Sequence, residues 1–188
     1  MAMRLPLPLL SLSVLLLLGA CSSPAPKQGD APLVSPGGGY YRNDGPLKGV
    51  SQATIDAIPE PVPKREPMHK WTTRPYKVMG KTFVPMTEMA PYKARGVATW
   101  YGTRYHGRKT AIGETYDMLQ MTAAHPTLPL PSYVRVTNVE NGKSVVVRVN
   151  DRGPFLHGRL IDLSYAAARR LDFVNKGSAQ VEVELLLP

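Results

Sequence analysis

The chain reads as a mostly β protein: a small, closed, mostly antiparallel barrel with one or two short helices, preceded by a Pro-rich tether. Four observations predict this. Ser144-Val145-Val146-Val147-Arg148-Val149-Asn150-Asp151 is dense in valine, as a buried strand is. Gly153-Pro154 ends that run, because proline brings no N–H to a ladder and glycine permits a sharp turn. Tyr133 to Glu140 reads as its partner strand across Asn141-Gly142, a pair favoured where both central residues of a two-residue turn need positive φ. Finally, Val181-Glu182-Val183-Glu184-Leu185 alternates as a last strand.

At 188 residues there is room for one domain plus extensions. Met1 to Arg4 is short and weakly positive, Leu5 to Leu18 is apolar, and Leu18-Gly19-Ala20 closes with small residues before Cys21. The apolar stretch is too short to span a bilayer and is interrupted by Pro6 and Pro8, so residues 1–20 read as a secretory signal. Cys21 is the single cysteine, which excludes an intramolecular disulfide. Its setting resembles the bacterial lipobox, in which the cysteine is lipidated and acyl chains anchor the protein at ~0.8 kcal/mol per buried CH₂. The alternative is an ordinary signal with an incidental cysteine; an unpaired exposed thiol in an oxidising compartment argues against it. Ser22 stands where an aspartate would favour inner-membrane retention, so the expected location is the outer membrane, facing the periplasm.

Residues 21–95 form the expected tether. Twelve of the nineteen prolines lie between Ser22 and Lys93, a composition that resists both helix and central strand. Within it, the alternation around Gly80 suggests a short docked hairpin near 75–85. The formal net charge is +9, of which residues 22–95 supply +5 and residues 96–188 only +3. A basic tether suits a membrane surface or an anionic wall polymer, and a merely solvated linker fits equally well. Nucleic acid is the weak reading for a partner, because the chain carries an export signal and no recognisable binding motif, so none is expected.

The barrel domain is expected over 96–187. Val97 to Tyr101 reads as its first strand, a Gly-rich basic loop follows through Gly113, and Met118 to Ala124 reads as a short second strand. Asp162-Leu163-Ser164 leads into a short helix over Tyr165–Leu171 with Ser164 as N-cap. Asp151 therefore falls at the rim of a rigid sheet, where clefts hold their working residues, with Glu114 and His125 upstream in loop-like sequence. Three such groups on a small β domain suit acid/base chemistry on a sugar chain.

These residues closely resemble the rare lipoprotein A family of septal-ring lytic transglycosylases. The matching stretches are Gly96-Val97-Ala98-Thr99-Trp100-Tyr101-Gly102, Tyr105-His106-Gly107-Arg108-Lys109-Thr110, Gly113-Glu114-Thr115-Tyr116-Asp117-Met118, Thr122 to Pro129, and Val149-Asn150-Asp151-Arg152-Gly153-Pro154-Phe155. The resemblance implies a six-stranded double-psi β-barrel, a fold shared with expansins. It also implies cleavage of the MurNAc–GlcNAc β-1,4 bond of peptidoglycan, on strands stripped of stem peptides, leaving 1,6-anhydro-MurNAc ends. It further implies a role in wall remodelling and daughter-cell separation, with division-site proteins as partners and no cofactor. Many members carry a C-terminal glycan-binding domain, whereas this sequence ends at Pro188 with the barrel, which leaves septal targeting by that route open.

Glu114, His125 and Asp151 match the positions that family members need for activity. Asp151 is the candidate acid/base, with an ion pair to Arg152 or Arg148 as its structural rival. Positioned acid/base catalysis contributes about 10²–10⁴-fold, and apolar surroundings would raise its pKa toward neutrality. Glu114 is either a second carboxylate that positions substrate or a solvated loop residue. His125 either orients a carboxylate or sugar hydroxyl, or is a satisfied structural histidine. Trp100, Tyr101, Tyr105 and Tyr116 are candidates for an aromatic floor under sugar rings, Trp100 being equally a core residue. His106 and Arg152 complete the candidate substrate contacts, while Asp117 and Asp162 read as structural, the latter leading into the helix. No short metal-ligand spacing occurs. The competing functional class is a non-catalytic, expansin-like glycan-binding module, and a hydrolase is the third reading.

Overall fold

In a computed structural model, residues 44–188 are described. The signal segment, Cys21 and the tether up to residue 43 lie outside the described residues. No described helix is long and apolar enough to cross a membrane.

Six strands close into a barrel. They are β3 (Lys93–Tyr101), β4 (Thr122–Ala124), β5 (Ser132–Asn138), β6 (Ser144–Asp151), β7 (Arg159–Ser164) and β8 (Ala179–Leu186), in the spatial order β3-β7-β4-β6-β5-β8. The pairs β3/β7 and β4/β6 are parallel and the other four antiparallel. With β4 inserted between β6 and β7, this is the expected double-psi barrel. The interior is filled by alternate residues of each strand: Val134 and Val136 of β5, Val145, Val147 and Val149 of β6, and Val181 and Val183 of β8 are all buried. Each such side chain contributes roughly 1.5–3 kcal/mol relative to exposure.

Two features depart from the sequence reading. The β5–β6 connection is a five-residue loop, Val139–Lys143, rather than a two-residue turn, and only Gly142 takes a positive φ (71°). Asn138 and Asn141 explain why. Their side-chain oxygens accept from the N–H groups of Glu140 and Lys143, while both amides donate to the Leu171 carbonyl at the end of the helix, at 3.0 and 3.1 Å. A tertiary contact thus overrides the local Asn-Gly preference. The second departure is β7, which runs directly into helix α2 (Tyr165–Arg170). Asp162 is therefore an internal strand residue rather than a helix-entry residue, while Ser164 is the N-cap as expected, its hydroxyl accepting from Ala167 N–H at 3.2 Å.

Residues 44–92 lie along the barrel. A five-residue helix, α1 (Gln52–Asp56), forms in the Pro-rich stretch; Ser51 caps it, and its Ile55 is fully buried. Arg170 secures it by donating to the carbonyls of Ile55, Asp56 and Ile58. Further on, β1 (Tyr76–Val78) and β2 (Lys81–Phe83) form an antiparallel hairpin whose turn residues, Met79 and Gly80, both have positive φ. Tyr76 and Phe83 stack at 5.3 Å and meet Phe155, just beyond the end of β6. Glu60 accepts from Val146 N–H, and Glu66 receives two bonds from Arg148. The outer side of β6 is thus covered as well, which accounts for a valine run denser than a one-sided strand requires.

Candidate active site

A cavity of about 230 Å³ opens at the end of the barrel where β6 stops. Asp151, Asp162, Tyr101, Tyr105, Arg152 and Asp44 are among the residues that line it. Asp151 is the last residue of β6 and is half-buried. Its Oδ1 accepts from the backbone N–H groups of Ala111 and Arg152, each at 2.8 Å. Burial raises its pKa, and those two N–H groups and the Arg152 charge only partly oppose the rise.

Neither expected rival pairing of Asp151 forms. Arg152 directs its guanidinium at three carbonyls, those of His125 (3.0 Å), Leu128 (2.7 Å) and Thr72 (2.8 Å). Arg148 pairs with Glu66 at 2.8 Å and with Glu114 at 2.7 Å. Asp151 itself lines the cavity. Gly153, at φ 138°, makes the sharp turn that follows, a backbone conformation that side chains rarely adopt.

Glu114 does not line the cavity. Both its oxygens take bonds from Arg148 Nη1, at 2.9 and 2.7 Å, and Asn150 donates to one of them at 2.8 Å. Burial pushes its carboxyl up, but the bonds from Arg148 and Asn150 outweigh that and hold it below the ordinary range. It is an anchored carboxylate. The anchoring has a purpose: Thr110 N–H bonds the Glu114 carbonyl and Gly113 N–H the Thr110 carbonyl, closing a tight loop. Ala111, whose N–H meets Asp151, sits in that loop. Glu114 fixes the loop to β6 and so holds the donor in place.

His125 is buried and neutral. Its Nδ1 accepts from Thr127 N–H (3.1 Å) and Leu128 N–H (3.0 Å), so the ring proton is on Nε2, which donates to the Tyr92 hydroxyl at 3.1 Å. Burial, with the Arg152 charge adding to it, takes its pKa down to about 3. It ties the turn whose carbonyls hold Arg152, and its own N–H bonds the Asp151 carbonyl at 3.1 Å.

The aromatic candidates divide. Trp100 is buried, donates to the Val174 carbonyl and packs on Tyr165, with an edge reaching the cavity. Tyr116 is buried too, its hydroxyl bonding the Tyr101 carbonyl at 2.6 Å and its ring stacking on Tyr101 at 4.1 Å. Tyr101 is also buried, though it lines the cavity together with the less buried Tyr105, which it meets edge to face at 6.1 Å. His106 is exposed and bonded to Met118 N–H, away from the lining.

Sequence reasoning missed Asp44, Met79, Arg159 and Asp162 on the cavity wall. Asp44 accepts from the N–H groups of Gly102 (2.9 Å) and Arg104 (3.1 Å) and carried no local signal. Asp162 did carry one. A carboxylate between Ile161 and Leu163, both fully buried, is costly unless it serves a site.

A protein family described as "Lytic transglycolase" matches residues 93–183. "Endolytic peptidoglycan transglycosylase RlpA" from Pseudomonas aeruginosa PAO1 is 50% identical over 179 residues, covering 92% of this chain and 50% of that protein. The protein of the same name from Neisseria meningitidis serogroup B is 56% identical over 139 residues, 74% of this chain and 56% of its own. That from Vibrio cholerae is 43% identical over 177 residues, 94% and 62% respectively. The chain thus spans about half the length of several curated relatives it matches. Among solved structures, a Streptomyces papain inhibitor is similar over 51% of this chain and 96% of its own, with a TM-score of 0.43 and 25% identity. An expansin from Clavibacter michiganensis is similar over 51% of each chain, with a TM-score of 0.40 and 21% identity.

Proposed function

The chain belongs to the rare lipoprotein A family, and from that membership we propose that it is a lytic transglycosylase that cuts peptidoglycan glycan strands at the MurNAc–GlcNAc β-1,4 bond. Asp151 carries the proton. Its pKa is raised by burial, one of its oxygens is fixed by two backbone N–H groups, and the residue lines the cavity. That single arrangement supports the reading best. Protonated Asp151 gives its proton to the glycosidic oxygen, and the C1–O4 electron pair leaves with that oxygen. The C6 hydroxyl oxygen of MurNAc then bonds C1, and its proton returns to the Asp151 carboxylate. No water is consumed, and the product end is 1,6-anhydro-MurNAc.

Tyr101 and Tyr105 offer rings against which a sugar face can pack, since C–H faces and aromatic faces match. Glu114, His125 and Arg152 act by holding the loops around Asp151. The proposed substrate is glycan lacking stem peptides. The proposed location is the periplasmic face of the outer membrane, through acylation of Cys21, with division-site proteins as partners. The lipobox-like Leu18-Gly19-Ala20-Cys21 supports the anchor.

The test is cleavage of denuded glycan strands by the full-length chain in detergent, followed by mass spectrometry. Anhydro-ended fragments from the wild type and none from a folded Asp151→Asn protein are expected. Intact strands from folded wild type would move the barrel into the non-catalytic glycan-binding class.

A further inference from the structure

Ala124 of β4 is flanked in register on both sides by carboxylates. It pairs with Asp151 across the parallel β4/β6 ladder and with Asp162 across the antiparallel β4/β7 ladder. Thr99 of β3 continues the row as the partner of Asp162. Residues paired across adjacent strands present their side chains to the same face. The two aspartates are therefore two strand spacings apart, about 10 Å between backbones, and only an alanine methyl stands between them. Both line the one cavity, and so does Ala124. Gly153 keeps the gap clear: a side-chain carbon there would lie 3.8 Å from Ala124 Cβ and 4.0 Å from Asp162 Oδ2.

From this geometry we infer that Asp162 is a second catalytic carboxylate, the ionised counter-charge to the positive anomeric carbon while Asp151 carries the proton. The inference rests on the transglycosylase reading of the cavity. Breaking C1–O4 leaves positive charge on C1 and the ring oxygen until the C6 oxygen bonds. A fixed negative charge across the cavity from the proton carrier stabilises that state, and Asp162 itself neither gains nor loses a proton. Its surroundings suit the part. The Thr99 hydroxyl donates to its Oδ1, and Arg159, whose guanidinium donates to Thr99 Oγ1 at 3.2 Å, adds positive charge. Against these act burial and the facing carboxylates of Asp44 and Asp151, so its pKa is raised, with Tyr101 also close enough to feel its charge. A group that must be ionised and has a raised pKa gives an acidic limb to the pH–rate profile, with activity lost as pH falls through that pKa.

The full-length chain is assayed on denuded glycan across pH, with the Asp162→Asn and Thr99→Val proteins beside it and thermal melts as folding controls. Asp162→Asn is expected to lower kcat by about 10²–10³-fold, leave KM within a few fold, and lose the acidic limb. Thr99→Val removes the donor that favours the charged form, so its acidic limb shifts to higher pH. A folded Asp162→Asn protein with wild-type kcat and an unchanged limb overturns the inference. If that protein does not fold, an unshifted limb in Thr99→Val overturns it. Both failures leave wild-type cleavage intact, whereas strands left whole by the wild type overturn the transglycosylase reading itself.

Discussion

Replacing Glu66 with glutamine tests whether the stretch upstream of the barrel is a structural part of it. Glu66 accepts from Arg148 Nε at 2.8 Å and Nη2 at 2.9 Å, a fork-to-fork pair, and also receives the Tyr133 hydroxyl. Both partners are largely shielded, with side chains 18% and 20% exposed. The pair lies between an exposed ion pair, worth about 0–1 kcal/mol, and a buried one whose breakage costs about 3–5 kcal/mol. Glutamine leaves one acceptor, and Glu114 still neutralises Arg148, so a loss of about 2 kcal/mol is expected at pH 7. For a folded unit of this size that is a fall in Tm of about 4–8 °C. The pH dependence has a definite sign. The bonds from Arg148 take the Glu66 pKa down from 4.5 to about 2, so its contribution is complete above pH 4.5 and disappears as pH falls through about 2. Melts of wild type and Glu66→Gln should converge at the acid end of that window. Equal melts at pH 7, with well-folded protein in both, would refute the docking of this segment through Glu66.

Other consequences are independent of that pair. Nitrogen NMR of His125 should show the Nε2–H neutral tautomer throughout pH 4–8, with protonation only near pH 3, since burial and Arg152 both oppose its charge; titration near 6.5 would contradict the bonding described. Gly102→Ala should cost about 3 kcal/mol, because its Cβ would fall 2.3 Å from the Gly45 carbonyl oxygen, and an unchanged melting temperature would contradict the packing of Asp44 and Gly45 against Gly102. Glu114→Gln should lower kcat by about 10²-fold at most without abolishing it, through a loosened Ala111 N–H; complete loss with an intact melt would mean that Glu114 handles the reacting proton itself.

The strands were legible where one face is apolar. Alternation along β6 and β8, and the Gly-Pro stop after Asp151, located the barrel wall and the rim carboxylate from local pattern alone. β7 was not, because it is short, carries Asp162 at its centre and passes into α2 without a break. The same blindness hid the site's second carboxylate. Asp162 meets Asp151 only through Ala124, and register between strands far apart in sequence has no local signature. His125 was recognised as a residue of interest, but its neutrality follows from Thr127 and Leu128 N–H groups folding back on the ring. Asp44 and Glu66 lie in Pro-rich sequence and act on residues 58 and 82 positions away, so composition alone made them part of a tether.

The central claim is that Asp151 drives strand cleavage without water. Digestion of denuded glycan by the full-length chain in water enriched with heavy oxygen tests it directly. The account predicts new ends that lack one water relative to a hydrolysed strand and carry no heavy oxygen, and none of these ends from Asp151→Asn. Reducing MurNAc ends bearing the heavy isotope would contradict it and identify a hydrolase.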